Sequence, residues 1–441
     1  MYQPVIEYIR DKSVLLVGFG REGRSTLAYI RRYLPGKHIT VADRNPVQLE
    51  DPDVTLLCSE DYLSGVSRFD VVFKSPGIPF IGVDTGNARI TCQLDMFLHY
   101  APFEVIGVTG TKGKTSTTTL VYKMLEAAGK SAVLAGNMGL PVFDYIDKEG
   151  IEVAAVEMSS HQLEFTTASP HTAILTNLHE EHLDHYADGY KGYINSKLNI
   201  TRYQKAGDVL IYDPEGLDEC VPPLAGVAGG SLQTLTRSAV LKDEFIKSLV
   251  SGNEHLAGAH NLHDVAFAAA AVRRYGVEDE AIGRAVRGFE GIPHRMEYVC
   301  TNSGIRFYND SIATVPFAVM SGINALGDTG SLIFGGLDRG IDYTEFTEFL
   351  AKSPIKVLIG MPDTGHAIID ALERKGASPM LFKARDMEQA VSLAYAHTPR
   401  GMCCLFSPAA ASYNAYKDFE QKGEHFKALV KSLGAREDGK A

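Results

Sequence analysis

A glycine-rich turn between a β-branched run and a helix-forming run constrains the fold of this chain most strongly. Residues 105–108 are typical of a buried strand, residues 110–115 read Gly-Thr-Lys-Gly-Lys-Thr, and a helical pattern continues to about residue 129. A strand, a turn and a helix N-terminus in this order present backbone N–H groups and a positive dipole end to an anion. A lysine and a hydroxyl at that point suit a polyphosphate and its Mg²⁺. The turn therefore predicts a phosphate site on an α/β sheet.

The spacing of this turn departs from the strict phosphate-loop pattern. That pattern has a glycine five residues before the glycine that precedes the lysine, and this chain has Val108 there. The loop is Gly110-x-x-Gly113-Lys114-Thr115, two residues shorter than the pattern. The spacing argues against ordinary GTPases and indicates a narrower class of nucleotide-binding protein.

Length, charge and cysteine usage limit the class of protein further. A chain of 441 residues is too long for one core and predicts two or three domains. A net charge of -11 argues against a nucleic-acid partner, which requires a basic face. The six cysteines are scattered without a Cys-x-x-Cys motif, as a reducing compartment permits, and no signal peptide or membrane-length apolar run is evident. We expect a cytoplasmic protein that binds neither nucleic acid nor a membrane.

A second glycine motif lies near the N-terminus. Gly18-x-Gly20-x-x-Gly23 follows an apolar run, and Asp43 ends the next one, which matches the dinucleotide fingerprint. The fingerprint alone is weak evidence for NAD, since a Rossmann-like turn can hold any nucleotide diphosphate. It predicts a small Rossmann-like domain that closes near residue 95. An NAD-binding oxidoreductase or sensor remains an alternative.

An acidic residue ends another apolar run in the centre of the chain. Residues 151–157 predict a strand that ends at Glu157, and ligands gather at the carboxyl ends of strands in open α/β sheets. Glu157 is therefore a candidate Mg²⁺ ligand, and a solvated glutamate is the alternative. His179 and His182 lack the zinc-protease spacing, so a hard-cation site that His182 shares with Glu157 fits better. Lys197, taken alone, is typical of a solvated helix lysine.

The remaining regions predict a regular C-terminal part and a less regular insertion. Apolar runs and helical patterns alternate from residue 305 to residue 433, which predicts a doubly wound parallel sheet. Residues 213–252 predict a short, strand-rich insertion.

Six motifs, in this order and over nearly the whole chain, resemble the characteristic sequence motifs of the Mur ligases. They are Gly110-Thr-Lys-Gly-Lys-Thr115, Glu157-x-Ser-Ser-x-Gln162-Leu163, Glu181-His182-Leu-Asp184, His260-Asn261, Pro293-His294-Arg295 and Asn309-Asp310-Ser-x-Ala-Thr314. The resemblance implies an α/β protein of three domains. Residues 1–95 would be a Rossmann-like domain for the UDP end of the substrate, 96–291 a central phosphate-loop-type ATPase domain, and 292–441 a doubly wound parallel-sheet domain for the amino acid.

The resemblance also implies a reaction. Residues 407–423 are similar to the branch of the family that adds D-glutamate to UDP-N-acetylmuramoyl-L-alanine (UDP-MurNAc-L-Ala) in the cytoplasmic steps of peptidoglycan synthesis. ATP would phosphorylate the substrate carboxylate, and the amine of D-glutamate would attack the acyl phosphate. A monomer is expected.

The family's functional residues map onto this chain by motif. The residues expected to bind ATP are Gly110, Thr111, Lys112, Gly113, Lys114, Thr115, Ser116, Asn261, Arg295 and Asp310. Thr115 and Glu157 would hold one Mg²⁺, and His182 with a carbamylated Lys197 would hold a second. Catalysis would rest on Lys114, Glu157, His182, Lys197 and Arg295.

The substrate residues follow from the same resemblance. Those expected at the UDP substrate, from the uridine nucleotide onward, are Gly20, Arg21, Asp43, Arg44, Ser75, Gly77, Asn137 and Ser159. Those expected at D-glutamate are Thr314, Arg339, Ser412 and the backbone of Phe419.

Four positions depart from the family pattern. Ile312 and Arg339 stand where lysines are usual, Glu181 stands in place of aspartate, and Asp264 replaces an asparagine near the adenine. An arginine such as Arg339 can bind a carboxylate with two parallel hydrogen bonds. The departures leave a Mur ligase for another amino acid as an alternative, and Ile312 motivates a non-catalytic relative. Folylpolyglutamate synthases share the ATP loop, but the Rossmann-like first domain counts against them.

Overall fold

The computed structural model describes residues 3–138, 140–181, 183–256, 259–338, 340–412 and 415–438. The chain forms two compact units, Met1–Glu290 and Gly291–Ala441. The predicted α/β class with parallel sheets is confirmed, since every unit is built on strands that alternate with helices. The division of the first unit near residue 95 stays a prediction. None of the helices in the described ranges is long and apolar enough to cross a membrane.

The first sheet of the first unit carries the N-terminal glycine motif. Its strands are β1 (Val14–Val17), β2 (Ile39–Asp43), β3 (Val54–Cys58), β4 (Val71–Lys74) and β5 (Arg89–Thr91), and its helices are α1 (Pro4–Ile9), α2 (Arg21–Tyr33) and α3 (Gln93–Tyr100). The strand order is β3-β2-β1-β4-β5, and the strands are parallel. The central strands β1 and β4 are buried along their whole length, which explains their unbroken apolar runs.

The second sheet carries the phosphate loop. Its strands are β6 (Glu104–Thr109), β7 (Ala132–Gly136), β8 (Val153–Glu157), β9 (Thr172–Leu175), β10 (Val209–Tyr212) and β11 (Ser231–Thr234). Its helices are α4 (Lys114–Ala127), α5 (Ser160–Leu163), α6 (Tyr190–Arg202), α7 (Arg237–Val240), α8 (Glu244–Val250), α9 (Ala259–Arg273) and α10 (Asp279–Arg287). The order β11-β10-β9-β6-β8-β7 places β6 between β8 and β9, so the strand order reverses there. Ligands bind at such switch points, outside the carboxyl ends of the strands.

The region from residue 213 to 252 differs from the prediction of a strand-rich insertion. Its only strand within the described residues is β11, which extends the main sheet by pairing with β10, and the helices α7 and α8 follow. Asp243 caps α8 by accepting hydrogen bonds from the N–H groups of Phe245 and Ile246. The strand-rich prediction was wrong because the turns within residues 221–230 lie in the connection between two parallel strands, β10 and β11.

The second unit holds the third sheet. Its strands are β12 (Glu297–Asn302), β13 (Ile305–Asn309), β14 (Thr329–Phe334), β15 (Val357–Gly360), β16 (Met380–Lys383) and β17 (Cys403–Phe406). Its helices are α11 (Pro316–Leu326), α12 (Thr344–Lys352), α13 (Thr364–Arg374), α14 (Met387–His397) and α15 (Phe419–Asp438). The order is β12-β13-β17-β14-β15-β16.

One edge of this sheet corrects the prediction of a wholly parallel sheet. β12 is antiparallel to β13, and the two are joined by Ser303 and Gly304. Both residues have positive φ angles, 48° and 74°, as a two-residue type I′ hairpin requires. β12 escaped the sequence analysis because its residues are half-buried or exposed and lack a continuous apolar run.

The core of the second unit contains a buried aromatic residue, Phe307, whose contribution to stability can be measured. Phe307 on β13 is fully buried, with its ring 4.7 Å from that of Tyr395, whereas Phe317 on α11 is 62% exposed. Phe307→Ala is expected to lower the free energy of unfolding by about 3–5 kcal/mol, because it removes buried apolar area and leaves a cavity. The control Phe317→Ala should change it by less than about 0.5 kcal/mol. Urea denaturation followed by far-UV circular dichroism measures both, and equal losses would contradict the assigned packing.

Candidate functional site

The phosphate loop at the end of β6 can be built only with glycines at two positions. Gly110 and Gly113 have φ angles of 150° and 83°, which side chains rarely adopt. A Cβ atom at Gly110 would overlap the hydroxyl of Thr176, and one at Gly113 would lie 2.6 Å from Asp264 Oδ1. The loop backbone therefore packs directly against its neighbours and leads into the N-terminus of α4.

The loop lysine is positioned where the sequence predicts it. α4 begins at Lys114, whose Nζ donates hydrogen bonds to the carbonyl oxygens of Gly110 and Thr111, each at 3.0 Å. Thr115 is buried on the first turn of the helix, and Ser116 is half-buried. The N–H groups of a first helical turn have no intrahelical partner, so this end of α4 can receive a phosphate.

Glu157 lies beside the start of the loop. The parallel register pairs Glu157 with Val108, and only 2% of Glu157 is exposed. Its Oε1 accepts a hydrogen bond of 2.7 Å from Asn137 Nδ2, whereas the buried Oε2 has no hydrogen-bond partner in the described part of the chain. A buried carboxylate oxygen without a partner is costly, and a hard cation with oxygen ligands would satisfy it. A donor set made of the Glu157 carboxylate and the loop hydroxyl of Thr115 would fit Mg²⁺ chemically.

Lys197 on α6 also reaches the loop. Only 1% of the residue is exposed, and its Nζ donates to Gly110 O at 2.7 Å and to Thr109 Oγ1 at 3.4 Å. Burial, and then the charge of Lys114, hold the pKa of Lys197 well below its usual range. The interpretation of Lys197 as a solvated helix lysine was wrong, because α6 packs the lysine against the strand end that carries the loop.

The histidines of the histidine-rich segment differ in their surroundings. His182, the predicted partner of Glu157 and Lys197 in binding metal, lies outside the described residues. His179 is exposed and its Nδ1 lies 2.7 Å from Asp218 Oδ1. His185 is buried and stacks on His161 with ring centroids 3.8 Å apart.

A cavity of about 370 Å³ opens beside the phosphate loop. Phe267 and His263, stacked with ring centroids 4.5 Å apart, contribute apolar and aromatic surface. The other polar residues on its wall are Lys112, Thr176, Asn177, His179, Asp213, Glu215, Arg237 and Asp264. Asn261, one of the predicted ATP residues, is half-buried near the start of α9. An aromatic surface and a few convergent polar groups next to a phosphate loop suit a nucleoside.

The N-terminal glycine motif folds as predicted, but its aspartate acts within the protein. Gly18 has a φ angle of 84°, and a Cβ at Gly23 would overlap the carbonyl oxygen of Gly18. Asp43 Oδ2 accepts from the N–H of Phe19 at 2.8 Å and Oδ1 accepts from the N–H of Asn45 at 2.9 Å. The Asp43 carboxylate therefore stabilises the turn itself, a role that the sequence analysis missed.

The other predicted residues for the UDP substrate lie near strand and helix ends of the first unit. Ser75 Oγ donates to Gly18 O at 3.1 Å, which joins the end of β4 to the glycine turn. Ser159 caps α5, where its hydroxyl accepts from the N–H of Gln162 at 3.2 Å. Gly20, Arg21, Arg44 and Gly77 are exposed.

A buried ion pair that the sequence analysis missed links these loops. Lys74 Nζ lies 3.0 Å from Glu164 Oε2, and His185 Nε2 lies 3.3 Å from the same oxygen. Burial opposes ionisation of Glu164, but His185 and Lys74 outweigh it and hold its pKa below the usual value. The pair connects the residue before Ser75 to the segment after α5. A lysine at the end of an apolar strand was the available sequence signal.

In the second unit, each carboxylate oxygen of Asp310 accepts a hydrogen bond from within the protein. Its Oδ2 accepts from Ser407 Oγ at 2.7 Å and its Oδ1 accepts from the N–H of Met296 at 3.2 Å. Burial raises the pKa of Asp310 to about 6, against the effect of these bonds and of Arg295. Arg295 itself is exposed.

The predicted acceptor residues lie on loops and helix ends of the same unit. Thr314 precedes α11 and is half-buried, and Phe419 begins α15. Ser412 is 2% exposed, and its hydroxyl has no hydrogen-bond partner among the residues that the structure describes. Arg339 lies outside the described residues.

Lys422 is a further buried cation that the sequence analysis missed. It is 1% exposed, and its Nζ donates to Gly335 O at 2.8 Å. Lys422, Phe426 and Val430 recur at helical spacing on the buried face of α15. Its position at the start of this apolar stripe was the available sequence signal.

Comparisons with known proteins identify the family of this chain. Residues 108–217 match the model of the Mur ligase middle domain. The chain is 32% identical to the UDP-N-acetylmuramoylalanine–D-glutamate ligase of Acetivibrio thermocellus, over 97% of this chain and 98% of that protein. It is 31% identical to the ligase of the same name from Clostridium botulinum, with the same coverage.

Solved structures show the same fold at lower identity. MurF from Acinetobacter baumannii has a TM-score of 0.57 at 16% identity and covers 96% of this chain and 92% of its own. MurC from Thermotoga maritima has a TM-score of 0.53 at 18% identity and covers 96% of this chain and 100% of its own. Since relatives above 30% identity match over nearly the full length, this chain belongs to the Mur ligase family, among the UDP-N-acetylmuramoylalanine–D-glutamate ligases.

Proposed function

We propose that the protein is an ATP-dependent ligase that joins D-glutamate to UDP-MurNAc-L-Ala through an acyl phosphate. The observation that carries the proposal is the buried, unpartnered oxygen of Glu157 beside a glycine loop on which Lys114 and Lys197 converge. A carboxylate oxygen that a metal ion could satisfy, beside a loop that carries Lys114, suits phosphoryl transfer. The names of the full-length relatives give the same substrates.

The chemistry proceeds in two balanced steps. An oxygen of the L-alanyl carboxylate attacks the γ-phosphorus of ATP, and ADP leaves with the electrons of the broken P–O bond. The amine of D-glutamate then attacks the acyl carbon, phosphate leaves, and the nitrogen loses a proton as the amide forms. Phosphorylation is needed because a free carboxylate has no good leaving group.

The residues of the loop act on the charge that develops on phosphoryl oxygens. Thr115 and Glu157 would hold Mg²⁺, which supplies charge neutralisation at the β- and γ-phosphates. Lys114 exchanges its bonds to loop carbonyls for bonds to phosphate, and the N–H groups of the first turn of α4 donate to the same group. The cavity beside the loop would take the nucleoside, and Asn261, Arg295 and Asp310 remain the other residues that we expect to bind ATP.

We assign to Lys197 a carbamate, formed when its neutral amine adds to CO₂. The geometry supports this because the amine is buried at the loop carbonyl of Gly110, where a second ammonium beside Lys114 is unfavourable. The depressed pKa of Lys197 leaves a larger fraction as free amine, the form that reacts with CO₂. The anionic oxygens would complete a second Mg²⁺ site with His182.

The remaining assignments concern the two substrates. Thr314, Arg339, Ser412 and Phe419 would hold D-glutamate. The residues expected at the UDP substrate remain Gly20, Arg21, Asp43, Arg44, Ser75, Gly77, Asn137 and Ser159. A monomer in the cytoplasm, where ATP is available, remains our expectation.

Acceptor use is the direct test of this function. Phosphate release should require ATP, Mg²⁺, UDP-MurNAc-L-Ala and D-glutamate together, since the acyl phosphate forms on one substrate and is consumed by the other. A coupled phosphate assay with D-glutamate, L-glutamate and a diamino acid in parallel measures this requirement. Release that occurs with a diamino acid and not with D-glutamate would replace the assignment by a Mur ligase for another acceptor. Titration with NAD(H) addresses the oxidoreductase alternative.

The role of Glu157 predicts a specific loss. Glu157→Gln should reduce kcat by about a hundredfold or more and raise the Mg²⁺ concentration needed for half-maximal activity, because a neutral amide is a poor ligand for Mg²⁺. Steady-state rates over a Mg²⁺ titration provide the measurement. The exposed Glu149→Gln should behave as the unchanged protein. An unaltered Mg²⁺ requirement in Glu157→Gln would refute the metal assignment.

The carbamate predicts chemical rescue. Lys197→Ala should abolish ligation, and added acetate or formate should restore part of the activity by supplying the missing carboxylate oxygens. Lys191→Ala, an exposed lysine on the same helix, is the matched control and should retain full activity without a response to acetate. Full activity of Lys197→Ala, measured as amide product, would exclude the role. Loss of wild-type activity when CO₂ and bicarbonate are removed, with recovery on their return, is the independent readout.

A further inference from the structure

Lys422 lies beneath two loops at the carboxyl ends of β14 and β17, and the reaction steps above assign it no role. Its Nζ donates to Gly335 O at 2.8 Å, and the ring of Phe406 lies 5.8 Å away. Only 1% of the residue is exposed. A lysine in such a place is buried at a cost, since its charge has left water.

No carboxylate among the described residues pairs with this ammonium group. The carboxylates on the surrounding elements make other contacts: Asp310 binds Ser407 and Met296, Asp338 binds the N–H of Gly340, Asp418 caps α15, and Glu424 pairs with Lys427. Other ionisable groups on these elements include Asp363, before α13, and Glu420, His425 and Lys427, on α15. Burial lowers the pKa of Lys422 to about 8, and no charged group contributes to the shift. The unit therefore holds an ammonium group without a counter-charge among its described residues.

The two loops meet at the lysine. A Cβ at Gly336 would lie 3.2 Å from Lys422 Nζ and would overlap the carbonyl oxygen of Ala411. The N–H of Leu337 donates to that same carbonyl at 2.9 Å. Lys422 thus fixes the Gly335–Gly336 turn against the segment that leads to Ser412.

A second, independent observation indicates a ligand at this place. The hydroxyl of Ser412 is buried and has no hydrogen-bond partner in the described ranges, although it follows Ala411 directly. A buried hydroxyl pays for lost hydration unless a partner is supplied. An anionic ligand at the two loops supplies an acceptor for Ser412 and the missing charge for Lys422.

We propose that Lys422 is the positioning residue that makes the acceptor site specific for an amino acid with a second carboxylate. The ammonium group acts through the Gly335–Gly336 turn and through its field, which is strong because the group is buried away from water. The inference rests on the proposed function, since it names the basis of acceptor choice at that site. The acidic acceptor brings the counter-charge that the unit itself lacks.

The test separates charge from packing. Lys422→Met keeps the apolar stem and removes the charge, and Lys422→Arg keeps the charge. Lys431→Met, an exposed position on α15, is the matched control. Lys422→Met should raise KM for D-glutamate by about tenfold or more and leave KM for ATP and UDP-MurNAc-L-Ala within about twofold. The control should change none of them.

The pH dependence supplies a readout that a structural role would not move. As pH rises through about 8, Lys422 loses its proton, so KM for D-glutamate should rise in the wild-type protein. Lys422→Arg keeps its charge over this range, and its KM should not follow that rise. The titration of the D-glutamate amine is common to both proteins and cancels in the comparison.

Each outcome decides the inference. A selective rise in KM for D-glutamate with Lys422→Met, and a flatter pH profile with Lys422→Arg, support it. An unchanged KM, or equal changes for all three substrates, overturns it. If Lys422→Met fails to fold, the comparison of wild type with Lys422→Arg still decides. Failure of the wild-type protein to use D-glutamate at all would instead overturn the proposed function.

Discussion

The carbonyl oxygen of Gly110 accepts hydrogen bonds from two lysines, and these bonds join the phosphate loop to α4 and α6. Lys114 approaches from the start of α4 and Lys197 from the middle of α6, at 3.0 Å and 2.7 Å. Two ammonium groups on one carbonyl repel each other, which contributes to the depressed pKa of Lys197. The arrangement is therefore suited to anions, and both a phosphate at the loop and a carbamate on Lys197 relieve it.

The second unit contains a similar contact between a buried lysine and a glycine carbonyl, without the sequence motif of the phosphate loop. In each unit a central strand ends at a glycine with a positive φ angle, Gly110 at 150° and Gly335 at 116°. In each, a buried lysine from a distant helix donates to the carbonyl of that glycine, Lys197 in one and Lys422 in the other. A strand end needs its last carbonyls satisfied, and a lysine that does so also places a charge where ligands of parallel sheets bind. In the proposals above, Lys197 would carry a carbamate at the phosphate loop, and the charge of Lys422 would serve the choice of acceptor.

Much of the fold was predictable because the central strands of its sheets are buried along most or all of their length. β1, β4, β6, β8 and β17 are short apolar runs bounded by glycine, serine or acidic residues, and the sequence located all of them. The predictions failed where burial is partial. β12 is half-buried and pairs through a two-residue hairpin, and α7 and α8 are short helices of four and seven residues. Local patterns report on burial, so elements at an edge leave a weak pattern.

The chain's own residues determined the chemistry class: the glycines of the loop, Lys114, and an acid at the end of β8 are local signals with local causes. Spatial packing determined the rest. Lys197 and Lys422 each look like ordinary helix lysines, and only the packing of α6 and α15 against strand ends buries them. Asp43 and Ser159 carry ligand-type side chains, yet in the fold they bind backbone N–H groups of their own unit. A sequence records which groups can bind a ligand. Whether such a group contacts a ligand, a carbonyl or water depends on neighbours that are far apart in the chain. The reason is that hydrogen bonding and desolvation act over a few ångströms of space.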